Sequence, residues 1–191
     1  VDLDPSRSEY HTPKALACLG YALMKLKRMD ESIPRYREAL ELSPNLPGGR
    51  SGLAAALLMM GNEAEAISAF AEATRVIVGR VPLHFNHGNL LARAGRPGEA
   101  EAAFLAAIAI DSSHVPTLTN LGALYAEQKR FNDALEVLSR VRQISDTSWK
   151  PRFNMGLVLG KLKQWDRAIE CLRDLIADHP SSSRTRILAG R

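Results

Sequence analysis

Three asparagine residues recur at one fixed spacing in this chain. Asn86, Asn120 and Asn154 are 34 residues apart, and each precedes a glycine by two residues. A primary amide carries both a hydrogen-bond donor and an acceptor, so it can pair with a peptide bond through two hydrogen bonds. If the three residues lie at equivalent points of a repeated element, they form an asparagine ladder that can hold an extended peptide backbone.

The element that would position these residues is a 34-residue repeat, which occurs five times in succession. With Pro13 as position 1, position 8 is always small. Position 20 is also small, and position 24 is always large. The residues at position 8 are Gly20, Ala54, Gly88, Gly122 and Gly156, and those at position 24 are Tyr36, Phe70, Phe104, Leu138 and Leu172. No insertion interrupts this pattern over 170 residues.

Each repeat reads as two helices. The first is expected to begin near a proline, which suits the first turn of a helix, and the second opens with acidic or amide residues. Positions 20, 24 and 27 fall within about 60° on a helical wheel and predict an apolar stripe on the second helix. Small residues at positions 8 and 20 allow the two helices to approach closely. The glycine that follows each asparagine is therefore expected to serve packing.

The pattern resembles the tetratricopeptide repeat over residues 13–182. Small residues at positions 8, 20 and 27 and large ones at 7, 11 and 24 carry the resemblance. Ser32 in place of alanine and His87 in place of leucine depart from it. The resemblance implies an all-α, right-handed superhelical solenoid of helix-turn-helix repeats, in which the first helices line a concave groove.

The predicted organisation follows from the 34-residue spacing. It comprises a lead-in segment at 1–12, five repeats at 13–46, 47–80, 81–114, 115–148 and 149–182, and a terminal segment at 183–191. The terminal segment is expected to be the start of a capping helix or of a truncated sixth repeat. The chain begins with valine, and we expect it to be a fragment of a longer protein.

Positions 2, 6, 9 and 13 cluster on the face that the family turns into its groove. We predict that asparagines hold a peptide backbone there, that three cations favour an acidic ligand, and that three aromatic residues supply apolar contact. The candidates are Asn86, Asn89, Asn120 and Asn154, then Arg93, Lys150 and Lys161, and then Tyr21, Phe85 and Phe153. The ladder is confined to the last three repeats, because the first two carry Cys18 and Gly52 at position 6.

Other kinds of site find little support in the sequence. His84 and His87 stand one helical turn apart, but two ligands without a third make a poor metal site. They are expected to be half-buried packing residues. No nucleophile, base and orienting residue come together by spacing, so we predict neither catalysis nor a cofactor. The net charge of +4 is dispersed, which disfavours nucleic-acid binding.

Localisation is predicted from two features. No apolar run is long enough to cross a membrane. Cys18 and Cys171 lie more than four repeats apart and are not expected to form a disulfide. These features favour a reducing, intracellular and cytoplasmic location.

The preferred function is a non-catalytic scaffold that binds an extended peptide or a partner helix. The alternative is a substrate-recruiting arm of a larger enzyme such as a glycosyltransferase. Self-association through the incomplete sixth repeat is a further alternative. A clamp for the C-termini of chaperones is disfavoured, because Phe85 and Asn154 stand where the resemblance places a lysine and an arginine.

Overall fold

The computed structural model describes residues 5–46, 48–145 and 149–178. The described ranges contain ten α-helices and no β-strand. The helices are α1 (Pro5–Lys25), α2 (Met29–Leu42), α3 (Gly49–Met60), α4 (Glu63–Val76), α5 (Val81–Arg93), α6 (Pro97–Ile110), α7 (Val115–Glu127), α8 (Phe131–Ile144), α9 (Trp149–Lys161) and α10 (Trp165–Asp178). Odd-numbered helices are the first helices of the repeats, and even-numbered helices are the second.

The turn between the two helices of a repeat is built in the same way five times. Position 15 has a positive φ in every repeat, whether it is glycine, as at Gly61 and Gly95, or lysine, as at Lys27, Lys129 and Lys163. The following residue donates its N–H to the carbonyl of position 11, as Arg130 does to Tyr125 at 2.8 Å. This 6→1 hydrogen bond is the Schellman arrangement that ends a helix.

Close packing explains the small residue at position 8, as the sequence predicts. A Cβ at Gly122 would stand 2.7 Å from the side chain of Leu138, and one at Gly156 would stand 2.6 Å from that of Leu172. The neighbour is position 24 of the same repeat in both cases. A small residue at position 8 thus lets the first helix lie against the large side chain of the second.

The expected start of the first helix is wrong. The sequence predicts a helix that begins near Pro13, whereas α1 begins at Pro5 and carries Pro13 inside it. By contrast, Pro82 and Pro116 lie in the first turns of α5 and α7, as expected. Pro47 and the terminal segment 183–191 lie outside the described residues.

The contacts divide the chain into two compact units, with the division inside α6 between Ala103 and Phe104. In the first unit, α1 packs against α2, α2 against α3, α3 against α4 and α4 against α5, and α1 also contacts α3. In the second unit, α7 to α10 pack in the same sequential way, and α7 also contacts α9. Two pairs of first helices from neighbouring repeats, α1 with α3 and α7 with α9, therefore contact each other, and the first helices position the candidate side chains.

Candidate functional site

In the first unit, α5 carries four of the predicted site residues. Asn86 is exposed, and Phe85 and Asn89 are half-buried. The guanidinium of Arg93 donates to the carboxylate of Glu63 at 2.5 Å. Because both partners are substantially exposed, this ion pair contributes little to stability. Arg93 is thus paired with a carboxylate of α4, the second helix of the preceding repeat.

A hollow of about 310 Å³ opens between the first and second repeats, and we name it the first hollow. Its cationic rim residue is Lys14, and its polar wall includes the exposed Cys18. The residues that line it include Lys14, Ala17, Cys18 and Tyr21 of α1, Tyr36 of α2, and Gly48. The first hollow therefore lies on the surface that the first helices of the repeats form, which we call the first-helix surface. It lies in a region where the asparagine ladder is absent.

A second hollow of about 250 Å³ opens between the second and third repeats. Asn86 is the one member of the predicted ladder that lines it. The lining includes Gly48, Ser51, Ala55 and Arg80 of the second repeat, Phe70 of its second helix α4, and Asn86 of the third repeat. This second hollow brings the amide of Asn86 next to a cation and an apolar wall.

The ring of Tyr36 explains why the second repeat has glycine where later repeats have asparagine. A Cβ at Gly52 would stand 2.3 Å from the Tyr36 ring, so a side chain at this position would displace the ring. Tyr36 is buried, and this burial raises the pKa of its hydroxyl, with further contributions from Tyr21 and Cys18. Gly52 thus makes room for one wall of the first hollow.

In the second unit, the first-helix surface carries Asn120 on α7 and Asn154 on α9, and both are half-buried. Lys150 and Lys161 are exposed on α9. The half-buried ring of Phe153 lies edge-on to Trp149, with 6.1 Å between their centroids. The contacting helices α7 and α9 therefore present two amides, an aromatic ring and two cations.

Asn86 belongs to the first unit, whereas Asn120 and Asn154 belong to the second. The asparagine ladder as a row of three therefore stays a prediction. Of the predicted residues in the first unit, Tyr21 lines the first hollow, and the ammonium of Lys25 lies over its ring, 5.2 Å from the ring centroid. The sequence analysis did not select Lys14 or Arg80, which line the two hollows. The dispersed charge gave no reason to single them out, although Lys14 stands at position 2 of the groove-facing set.

His84 and His87 are half-buried, as expected. The ring of His87 stacks on Phe70, with 6.4 Å between the centroids and 21° between the planes. Burial lowers the pKa of both imidazoles, and the neighbouring charge of His84 lowers that of His87 further. No group of three metal-ligating side chains occurs among the residues that the structure describes.

Both cysteines are free thiols, as predicted. Cys18 is exposed, and the buried Cys171 donates its S–H to the carbonyl of Arg152 at 3.3 Å. None of the helices in the described ranges has the length and apolar character that crossing a membrane requires.

Comparison with known protein families decides the classification. Models of the tetratricopeptide repeat match residues 13–46, 91–148 and 152–182, which together make almost two thirds of the chain. The chain belongs to the tetratricopeptide repeat family. Its five helical hairpins and the shared turn at position 15 are the structural counterpart of those sequence matches. A search of curated proteins found no match.

Several solved structures share this tetratricopeptide-repeat fold. YrrB, described as a protein of this family with an unusual peptide-binding site, has a TM-score of 0.81 and 17% identity, covering 92% of this chain and 91% of its own. MamA of Desulfovibrio magneticus RS-1 has a TM-score of 0.81 and 14% identity, covering 90% and 97%. A tetratricopeptide repeat protein of Parabacteroides merdae has a TM-score of 0.83 and 15% identity, covering 92% and 70%. At these identities the likeness shows the fold alone.

Proposed function

We propose that this protein is a non-catalytic scaffold whose first-helix surface binds an extended peptide segment of a partner protein. The observation that carries the proposal is the placement of Asn86, whose exposed amide lines a hollow between two repeats. In the second unit, Asn120 and Asn154 supply equivalent amides on helices that contact each other. Amides can bind a peptide backbone through both their donor and acceptor atoms.

The proposed ligand is an acidic segment. Lys150 and Lys161 are exposed on α9, and Arg93 is exposed at the end of α5. Charge-assisted hydrogen bonds to carboxylates are stronger than those between neutral groups, so these cations favour acidic over basic peptides. Tyr21 and Phe85 in the first unit, and Phe153 in the second, would contact apolar side chains of a bound segment. The binding of peptides described for YrrB is consistent with this use of the fold.

The same surface would serve a free adaptor or the substrate-recruiting arm of a larger enzyme. A free adaptor and an enzyme arm would differ in the rest of the parent chain and not in the residues of this surface. Self-association would instead require a second copy of the chain as the ligand.

A peptide-display screen tests the proposal. Selected peptides are retested on the triple variant Asn86→Ala, Asn120→Ala and Asn154→Ala. We expect at least a tenfold loss of affinity, which corresponds to about 1.4 kcal/mol. The control is Asn132→Ala, an exposed asparagine on the second helix α8, which should leave affinity unchanged. A screen without binders, or equal losses in the variant and the control, would contradict the proposal.

A further inference from the structure

The two hollows of the first unit are repeat-related. Positions 5 and 9 of the first repeat, Ala17 and Tyr21, line the first hollow, and Ser51 and Ala55 of the second repeat line the second hollow. The floor in each case is the large residue at position 24, Tyr36 or Phe70. The same kind of depression thus occurs twice on one continuous surface, and Gly48 lines both hollows.

Small residues keep these depressions open. Gly48 has a φ of +82° and no atom within 4 Å of the place where a Cβ would stand. Side chains at positions 5 and 9 are also short in Ala17, Ser51 and Ala55. Position 9 of the first repeat is the exception, since Tyr21 forms a wall of the first hollow there, whereas larger residues at the other three places would fill the hollows from the side of the first helices.

Both hollows combine an apolar wall with a cationic rim. Their apolar walls include Leu46 in the first hollow and Leu83 in the second. Lys14 and Arg80 supply the charge, and none of the described residues that line either hollow is acidic. Lys14 and Arg80 are exposed, and the ammonium of Lys25 lies beside Tyr21 at the first hollow. A ligand that fits this surface carries aliphatic side chains flanked by carboxylates.

The distance between neighbouring first helices sets the spacing of those aliphatic side chains. α1 contacts α3, and packed helices lie about 8–10 Å apart. In a polyproline II conformation the chain rises about 3.1 Å per residue with three residues per turn, so side chains three residues apart point the same way at about 9 Å. This spacing matches one side chain for each hollow.

We propose that the two hollows bind an acidic peptide in a polyproline II-like conformation, which places aliphatic side chains at residues i and i+3 in the first and second hollow. Lys14 and Arg80 pair with carboxylates between and beside them. The inference rests on the proposed function, because it assigns a ligand chemistry to the first-helix surface. It adds a recognition site in the first two repeats, where the asparagine ladder is absent.

Three fluorescein-labelled eight-residue peptides test this inference by fluorescence anisotropy at low salt. The first has leucine at residues 3 and 6 and Asp or Glu elsewhere. The second moves the second leucine to residue 5, and the third keeps the leucines of the first but replaces every acidic residue with lysine. We expect the first peptide to bind at least tenfold more tightly than either of the others.

Two variants assign that binding to the hollows. The double variant Lys14→Glu with Arg80→Glu should lower the affinity for the first peptide at least tenfold. Arg75→Glu with Arg173→Glu changes the net charge by the same amount on exposed residues of the second helices α4 and α10, and it should change the affinity less than twofold. Circular dichroism confirms that both variants are folded.

Three results would overturn the inference: no binding of the first peptide, equal affinity for all three peptides, or equal losses in the two variants. The proposed function fails separately, because it depends on the display screen and on the asparagine variant. If display-selected peptides lose affinity on the asparagine variant while the first designed peptide does not bind, the proposed function stands and this inference alone is rejected.

Discussion

At the scale of single residues, departures from the repeat pattern are accommodated by specific contacts. Ser32 occupies a position that is alanine in the other four repeats. It is completely buried, and its hydroxyl donates to the carbonyl of Gly20 at 2.7 Å. The sequence identifies Ser32 as a departure but not its partner, because that hydrogen bond depends on how the two helices of the first repeat pack. His87 is a second departure, and its ring stacks on Phe70.

His87 leads to a prediction about pH. Burial holds its pKa below the usual value of about 6.5. The unfolded chain therefore binds more protons than the folded chain once the pH falls below about 6.5, and the free energy of unfolding decreases from there toward the folded-state pKa. We expect His87→Leu to reduce this decrease between about pH 6.5 and 5. Urea unfolding at a series of pH values measures it.

Glu31→Gln provides the control for the pH series. The hydrogen bond from Arg28 lowers the pKa of Glu31, so this carboxylate takes up a proton only in more acidic solution. This variant should leave the pH dependence above pH 5 unchanged. A His87→Leu protein with the full pH dependence of the parent would contradict the assignment to the imidazole.

At the scale of elements, the sequence is most informative about the repeated hairpin. The small residue at position 8 predicts a close approach of the two helices, and the contact of Gly122 with Leu138 confirms it. The start of α1 was predicted wrongly, because Pro13 is compatible both with the start of a helix and with a place inside one. The conformation of position 15 was also missed, since three of the five repeats carry lysine there rather than glycine.

Lysine at position 15 leads to a prediction about stability. Lys129 has a φ of +61°, and a left-handed conformation costs a residue with a Cβ about 1–2 kcal/mol. We expect Lys129→Gly to raise the free energy of unfolding by about 0.5–1 kcal/mol, after allowing for the greater freedom of glycine in the unfolded chain. Chemical denaturation of the variant measures this change.

Lys129→Ala separates backbone strain from loss of the lysine side chain. Alanine keeps the Cβ and therefore the strain, so it should give no gain in stability. Equal stabilities of the glycine and alanine variants would show that the left-handed turn is not strained at Lys129.

At the scale of the whole molecule, the periodic pattern predicts the family and the candidate surface, but it does not predict the hollows. These depend on Tyr36 lying over Gly52 and on Gly48 leaving space between two repeats. The first is a contact between residues of different repeats and the second is a space that the fold leaves open, so neither is visible in the spacing of residues along the chain. The same reason explains why Lys14 and Arg80 were missed: neither forms a charge cluster in sequence, and only the hollows give them a common role.

The central claim is that a peptide binds across the first helices of the repeats. Its most direct test is an NMR titration of the ¹⁵N-labelled protein with a display-selected peptide. We predict that the amide shifts that change will concentrate on the first helices: α1, α3 and α5 in the first unit and α7 and α9 in the second. Changes confined to the second helices α2, α4, α8 and α10 would contradict the account.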